Sequence, residues 1–155
     1  MRLTRYTDYA LRVLIYLAVR GSEQDRATIS EIAERYGISR NHVMKVVHQL
    51  GRLGYIETLR GKGGGLRLCQ QTTAINVGAL VRQTENDLDI VECFNPAGTC
   101  PLSPDCRLRG ILGEALDAFL TVLDGYTLAD LVSNRSSLQT MLCLPTVTPT
   151  RGSAQ

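Results

Sequence analysis

The chain has 155 residues, 44 % hydrophobic and 21 % charged, a balance that supports a core and excludes global disorder. No apolar run reaches the ~18 residues needed to span a bilayer. Arg2, Arg5, Asp8 and Arg12 break up the first residues, so a signal peptide is not expected. Residues 1–68 hold 12 Lys and Arg against 6 Asp and Glu, whereas residues 69–155 hold 5 against 9. A basic half followed by an acidic half suggests that the first half meets an anion.

Residues 4–20 are predicted to be a helix, because Tyr6, Tyr9, Ala10, Val13, Leu14, Leu17 and Ala18 recur at spacings of three and four. Thr4 or Thr7 can cap its start, and Gly21 ends the pattern. After a polar loop, Thr28 and Glu31 have capping-box spacing, with Ser30 as a rival cap, and open a short helix over 31–36. Gly37 stops that helix, Ile38 packs in the turn, and Ser39 is expected to cap the next one. Val43, Val47, Leu50 and Leu53 keep one apolar face over 40–53, ended by Gly54.

Residues 55–59 have strand chemistry, 60–65 form a basic glycine-rich turn, and 66–68 read as the returning strand. A short helix follows over 77–82. Residues 88–106 lack a period and contain Pro96, Gly98, Pro101 and Pro104, so they form a long loop of the kind that usually carries function. A strong helical pattern returns over 107–125 with Leu108, Ile111, Leu112, Ala115, Leu116, Phe119, Val122 and Leu123. Thr127 and Asp130 can open a short helix to Val132, and from Ser133 onward a mobile tail is expected.

The fold class is therefore mainly α with a small β-hairpin. The division is a winged helix-turn-helix domain over 1–75, a cysteine loop with a long helix over 76–132, and a flexible tail over 133–155. In such a winged unit the second helix enters the major groove, its N-terminal residues against base edges. The residues expected to face DNA there are Ser39, Arg40, Asn41, His42, Lys45, His48 and Gln49, with Thr28 at the start of the preceding helix. Arginine suits the guanine edge, and asparagine or glutamine suits adenine. At the wing, Arg60, Lys62 and Arg67 can reach phosphates or the minor groove, and Gly63 and Gly64 allow close backbone approach.

Cys93-x6-Cys100-x5-Cys106 places three thiols within fourteen residues of the aperiodic loop. With no secretion signal and an odd total of five cysteines, metal ligands or redox thiols are expected before disulfides. Structural zinc usually takes CxxC pairs or nearby histidines, which are absent, so the wider thiolate spacing fits an iron–sulfur cluster better. Three cysteines leave one position for a carboxylate, water, a distant cysteine or a partner-chain residue. Cys69 and Cys143 are read as non-ligands.

These residues resemble the NsrR family of nitric-oxide-sensing repressors in the Rrf-two superfamily. The resemblance spans about residues 1–132. It rests on Leu3-Thr4-x-x-Thr7-Asp8-Tyr9-Ala10-Leu11-Arg12, Ile38-Ser39-Arg40-Asn41-His42-Val43-Met44-Lys45, Arg60-Gly61-Lys62-Gly63-Gly64-Gly65, the three cysteines and Tyr126-Thr127-Leu128-Ala129-Asp130-Leu131-Val132. It implies a cytoplasmic bacterial homodimer that binds a palindromic double-stranded operator and responds to nitric oxide. It implies one 4Fe–4S cluster per subunit on Cys93, Cys100 and Cys106, with Asp8 of the partner subunit completing the shell, and 2Fe–2S as the less favoured form. Pairing with Arg12, one turn on, is the plainer role for Asp8. The x6 spacing is slightly longer than is common in the family. Relatives of the IscR type use a histidine three residues after the third cysteine, where this chain has Arg109, which cannot ligate iron. The long helix over 107–125 is then assigned to an antiparallel dimer interface.

Two other classes compete. A zinc-structured DNA-binding protein would not respond to gas. An electron-transfer or catalytic iron–sulfur protein would need a substrate pocket, a Ser/His/Asp set or a nucleotide loop, and the sequence offers none.

Overall fold

The chain begins with helix α1 (Arg5–Arg20), whose Ala10, Val13, Leu14 and Leu17 are buried at helical spacing and form the centre of the core. A computed structural model describes residues 2–20, 26–61 and 63–144. Helices α2 (Ile29–Tyr36) and α3 (Arg40–Arg52) pack on each other, and α3 packs on α1; they contribute Ile32, Val43, Val46, Val47 and Leu50 to the same core. Thr28 is the cap of α2: its hydroxyl accepts from the Glu31 N–H at 3.2 Å, and the Glu31 carboxylate accepts the Thr28 N–H at 2.6 Å. The helix therefore starts two residues earlier than predicted, and Ser30 is not its cap.

Gly37 ends α2 in the left-handed region with φ of 61°, and this is the turn of the helix-turn-helix. A Cβ there would meet nothing within 4 Å, so an alanine would suffer only the backbone strain. Gly37→Ala is expected to destabilise the fold by about 1–2 kcal/mol, read as a lower denaturant midpoint with an unchanged m-value. An unchanged midpoint would show that the turn adopts another conformation.

Strands β1 (Ile56–Leu59) and β2 (Gly65–Leu68) form an antiparallel hairpin with Ile56 opposite Leu68 and Glu57 opposite Arg67. Ala27, just before α2, bridges Leu66 on the other side, with N–H to O distances of 3.3 and 2.7 Å in the two directions. The wing thereby gains a third, one-residue strand that stitches it to α2. This bridge joins residues too far apart in sequence for local patterning to reveal it.

Helix α4 (Val77–Thr84) is capped by Asn76, whose side chain accepts from the Ala79 N–H at 2.9 Å. The long loop contains two short 3-10 turns, Glu92–Phe94 and Ser103–Asp105. Helix α5 (Arg107–Asp124) packs on α4, and Arg82 grips Asp124 through two contacts of 2.5 and 2.7 Å. Helix α6 (Leu128–Leu131) is opened by Asp130, which accepts the Thr127 N–H and hydroxyl, each at 2.7 Å.

Beyond Ser133 the expected tail is corrected in part. Residues 135–141 form helix α7 (Arg135–Met141), and Leu144 is buried in the core. Arg135 donates to the carbonyls of Val19 and Arg20, both at 2.9 Å, and Gln139 donates to Val19 at 3.3 Å. The last carbonyls of α1 lack intrahelical partners, and these side chains satisfy them. The remainder of the predicted tail lies outside the described residues.

Candidate functional site

Helix α3 presents Arg40, Asn41, His42, Lys45 and His48 to solvent, while Gln49 is half-buried and Val43, Val46 and Val47 hold the opposite face in the core. Ser39 occupies the N-cap position, but its side chain accepts no bond from the helix, a correction to its expected capping role. Its carbonyl instead accepts from the N–H groups of His42 and Val43 at 2.9 and 3.1 Å, which leaves the side chain of this exposed residue free of the helix. The first turn of α3 has no acidic residue and contains Arg40. Positive charge there opposes the helix dipole, a folding cost that an approaching phosphate would reverse.

Met44, half exposed, and Arg52, exposed, lie on the same face as Asn41, Lys45 and His48 at spacings of three, four and seven residues. Neither stands among the residues expected from the sequence to face DNA, although helical arithmetic from Asn41 reaches both. An exposed methionine there suits apolar contact with a thymine methyl.

Arg60 is exposed at the wing tip, and Lys62 lies outside the described residues. Arg26 donates to the Gly63 carbonyl at 2.8 Å and ties the tip back to the body. Arg67 is not at the tip: it lies in β2 and pairs with Glu57 directly across the hairpin. Thr28 is committed to its cap. Among the expected wing contacts, Arg60 is thus the described side-chain cation placed to meet a phosphate. Arg60→Ala is expected to make the dependence of log affinity on log salt shallower by ~0.9 for each phosphate that Arg60 neutralises, with little change in base preference. Titrations of DNA at several salt concentrations measure this, and an unchanged slope removes Arg60 from the interface.

The start of α1 is wired to this surface. Asp8 and Arg12 form a two-point ion pair with distances of 2.8 and 2.9 Å. The Arg12 guanidinium also lies over the rings of Tyr9 and Tyr36, at 6.0 and 5.8 Å from their centroids. The Tyr36 hydroxyl donates to the Arg12 carbonyl at 3.1 Å, and burial pushes its pKa up to about 12, so it keeps the proton it donates. On α3, the His42 ring sits 6.1 Å from that of Tyr9. Asp8 therefore connects through Arg12 and two tyrosines to both helices of the helix-turn-helix.

All five cysteines are free thiols, and Cys93, Cys100 and Cys106 are each half-buried. The long x6 spacing is closed by a clasp, in which the Glu92 carboxylate accepts the Thr99 N–H and hydroxyl, both at 3.1 Å. Those bonds hold the Glu92 carboxyl below its ordinary range. Cys93 and Cys100 each directly follow one arm of this clasp. Gly98 is required for it, since a Cβ would come 2.5 Å from the Glu92 carbonyl oxygen. Cys106 is the N-cap of α5 and lines an open cleft of about 660 Å³ with Phe94, Ser103, Asp105, Arg107 and Arg109. Ser103 has a buried hydroxyl without a hydrogen-bond partner among the described residues, an omission that costs about 1–3 kcal/mol when nothing fills it.

Among the described residues no group of three or more His, Cys, Asp or Glu side chains is placed to hold a metal, so the thiols are not preassembled as the spacing suggested. The donor chemistry nevertheless fits an iron–sulfur group. Three soft thiols lie on one irregular loop, one of them at a helix N-terminus that favours negative charge, beside a cleft lined by two arginines and a hydroxyl without a partner among the described residues.

Residues 3–134 match the family model described as Rrf2, iron-dependent transcriptional regulator. The chain belongs to the Rrf2 family. It is 52 % identical over 143 residues to the HTH-type transcriptional regulator NsrR of Geobacillus kaustophilus (strain HTA426), covering 92 % of this chain and 97 % of the relative. The NsrR of Bacillus subtilis (strain 168) matches with the same identity and coverage. Among solved structures, the protein described as T. potens IscR superposes with a TM-score of 0.70 at 21 % identity, covering 90 % of this chain and 91 % of that one. The global cysteine regulator CymR of B. subtilis superposes with a TM-score of 0.68 at 24 % identity, covering 86 % and 98 %. These two establish the fold. Members of the Rrf2 family are transcriptional regulators and not enzymes, and this chain is a DNA-binding regulator built on a winged helix-turn-helix fold. No helix among the described residues is long and apolar enough to cross a membrane.

Proposed function

We propose that this chain is a cytoplasmic homodimeric repressor that holds a palindromic operator until nitric oxide reacts at a 4Fe–4S cluster, and so controls genes for nitric oxide detoxification. The observation that carries the reading is the joining of a winged helix-turn-helix to a three-thiol loop, in a chain 52 % identical to NsrR regulators over nearly their whole length. Cys93, Cys100 and Cys106 would hold the cluster, with Asp8 of the partner subunit as fourth ligand. When bound, the cluster supplies iron that reacts with nitric oxide.

The chain's own residues do the rest. Leu108, Ile111 and Val122 on α5 are each about 60 % exposed and supply an apolar face for a second copy. Asp8 has two competing partners, Arg12 of its own helix and the cluster. Its engagement with the cluster would set the position of α1, and Tyr9 and Tyr36 would pass that position to α3 and α2. Two recognition helices held about 34 Å apart then match one turn of DNA. Freed, Asp8 returns to Arg12, the spacing relaxes, and operator affinity falls.

Non-denaturing mass spectrometry of protein purified without oxygen tests this. A dimer with one 4Fe–4S cluster per subunit, losing operator binding on addition of nitric oxide, is the expected result. A 2Fe–2S cluster would assign an IscR-type regulator. Zinc, or no metal, would leave a DNA-binding protein without gas sensing.

A further inference from the structure

The loop carries one buried side-chain hydroxyl that neither the fold nor the three thiols use. Ser103 opens the 3-10 turn Ser103–Asp105, and its N–H donates to the Cys100 carbonyl at 3.1 Å. Three residues later Cys106 begins α5, and Ser103 and Cys106 line the same cleft. Ser103 is thus fixed by its backbone between two of the expected ligands. Its hydroxyl is buried and unpaired among the described residues, where serine hydroxyls normally bond to backbone or water. The cleft's charged groups, Asp89, Asp105, Arg107 and Arg109, leave it unpaired as well.

We propose that the Ser103 hydroxyl, which no cysteine sulfur meets among the described residues, donates a hydrogen bond to a sulfide of the iron–sulfur centre. This role rests on the proposed cluster and adds a residue that tunes it. An O–H donor aimed at sulfur withdraws charge from the iron and raises the reduction potential, because hydrogen bonds to the sulfurs are among the factors that set it. The same withdrawal makes the iron a poorer electron donor to an incoming diatomic ligand. Ser103 would therefore slow reaction with nitric oxide and favour the reduced state of the cluster.

The test uses full-length protein loaded with cluster without oxygen, compared as wild type, Ser103→Ala and Ser103→Thr at equal iron and sulfide content. Resonance Raman spectra in H2O and D2O read the hydrogen bond directly. Wild type and Ser103→Thr are expected to show a deuterium shift of the iron–sulfur stretching bands that Ser103→Ala loses in part. The Ser103→Ala potential is expected to be more negative, and its reaction with nitric oxide faster. Identical bands, deuterium shift and potential in Ser103→Ala overturn the proposal while leaving the cluster in place. If Ser103→Ala holds no cluster, a Ser103→Thr protein with wild-type bands and potential supports the hydroxyl's role, and a Ser103→Thr protein without cluster overturns it. Wild-type protein without iron and sulfide overturns the functional reading and this inference with it.

Discussion

Cys106→Ala is expected to remove iron and sulfide from the purified protein while leaving the winged helix-turn-helix folded. Cys106 is half-buried, makes no capping bond at the start of α5 and lies outside the core that α1, α2, α3 and the hairpin build. Its loss removes little packing, so the far-ultraviolet spectrum and thermal midpoint should stay close to those of the cluster-free wild type. The functional loss is far larger. A near-complete switch between operator-holding and operator-releasing states requires a differential of about 5.5 kcal/mol, a ~10⁴-fold change in the conformational equilibrium. With two soft ligands left on a loop that is not preassembled, that differential has no source, and the variant should bind operator as cluster-free protein does, with or without nitric oxide. Iron and sulfide assays with band-shift titrations measure it. A variant that keeps its iron would move the third ligand to another residue.

Most of the DNA-binding unit could be read from the sequence because its signals are local. Thr28 and Glu31 lie three residues apart, Gly37 sits at the turn position that needs positive φ, and the valines of α3 repeat at helical spacing. Helix α7 could not be read in this way. Its sequence, Arg135-Ser-Ser-Leu-Gln-Thr-Met141, is mostly polar, and the groups that order it are the carbonyls of Val19 and Arg20, more than a hundred residues earlier. The third wing strand at Ala27 is hidden for the same reason.

The site divides along the same line. Exposed positions on α3 follow from periodicity, and the same spacing puts exposed Met44 and Arg52 on the face that the hydrogen-bonding types near the helix start already mark. Arg67 is a wing cation whose charge is visible in the sequence and whose register is not; only the pairing of Ile56 with Leu68 sets it against Glu57. The cysteine spacing was visible, but the Glu92–Thr99 clasp and the orphaned Ser103 hydroxyl depend on how the loop bends. Of the two readings of Asp8, the helical spacing to Arg12 gives the ion pair that the fold contains, and the ligand role calls for a second subunit.

The proposed ligand role beside the observed ion pair makes Asp8→Ala the sharpest separation of stability from switching. Within one chain the Asp8–Arg12 pair has side chains 45 % and 42 % exposed. Solvent-screened pairs of this kind contribute roughly 0.2–1 kcal/mol, so the thermal midpoint should move by only a few degrees. Arg12 keeps its tyrosine contacts and its carbonyl bond from Tyr36, so α1 stays docked on α2. The cluster should still assemble on three cysteines, with its fourth position open to water or a small ligand. What should disappear is the dependence of operator affinity on cluster state, because in the proposed switch the link from cluster to α1 runs through this carboxylate. Arg12→Ala supplies the contrast: Asp8 loses its competing partner, and the cluster-bound state should require more nitric oxide for release. Operator titrations of both variants, with and without nitric oxide, decide between the two roles. If Asp8→Ala retains the full wild-type response, Asp8 is only a partner for Arg12, and the coupling must travel from the loop through α4 and α5, where Arg82 and Asp124 already bind the two helices together.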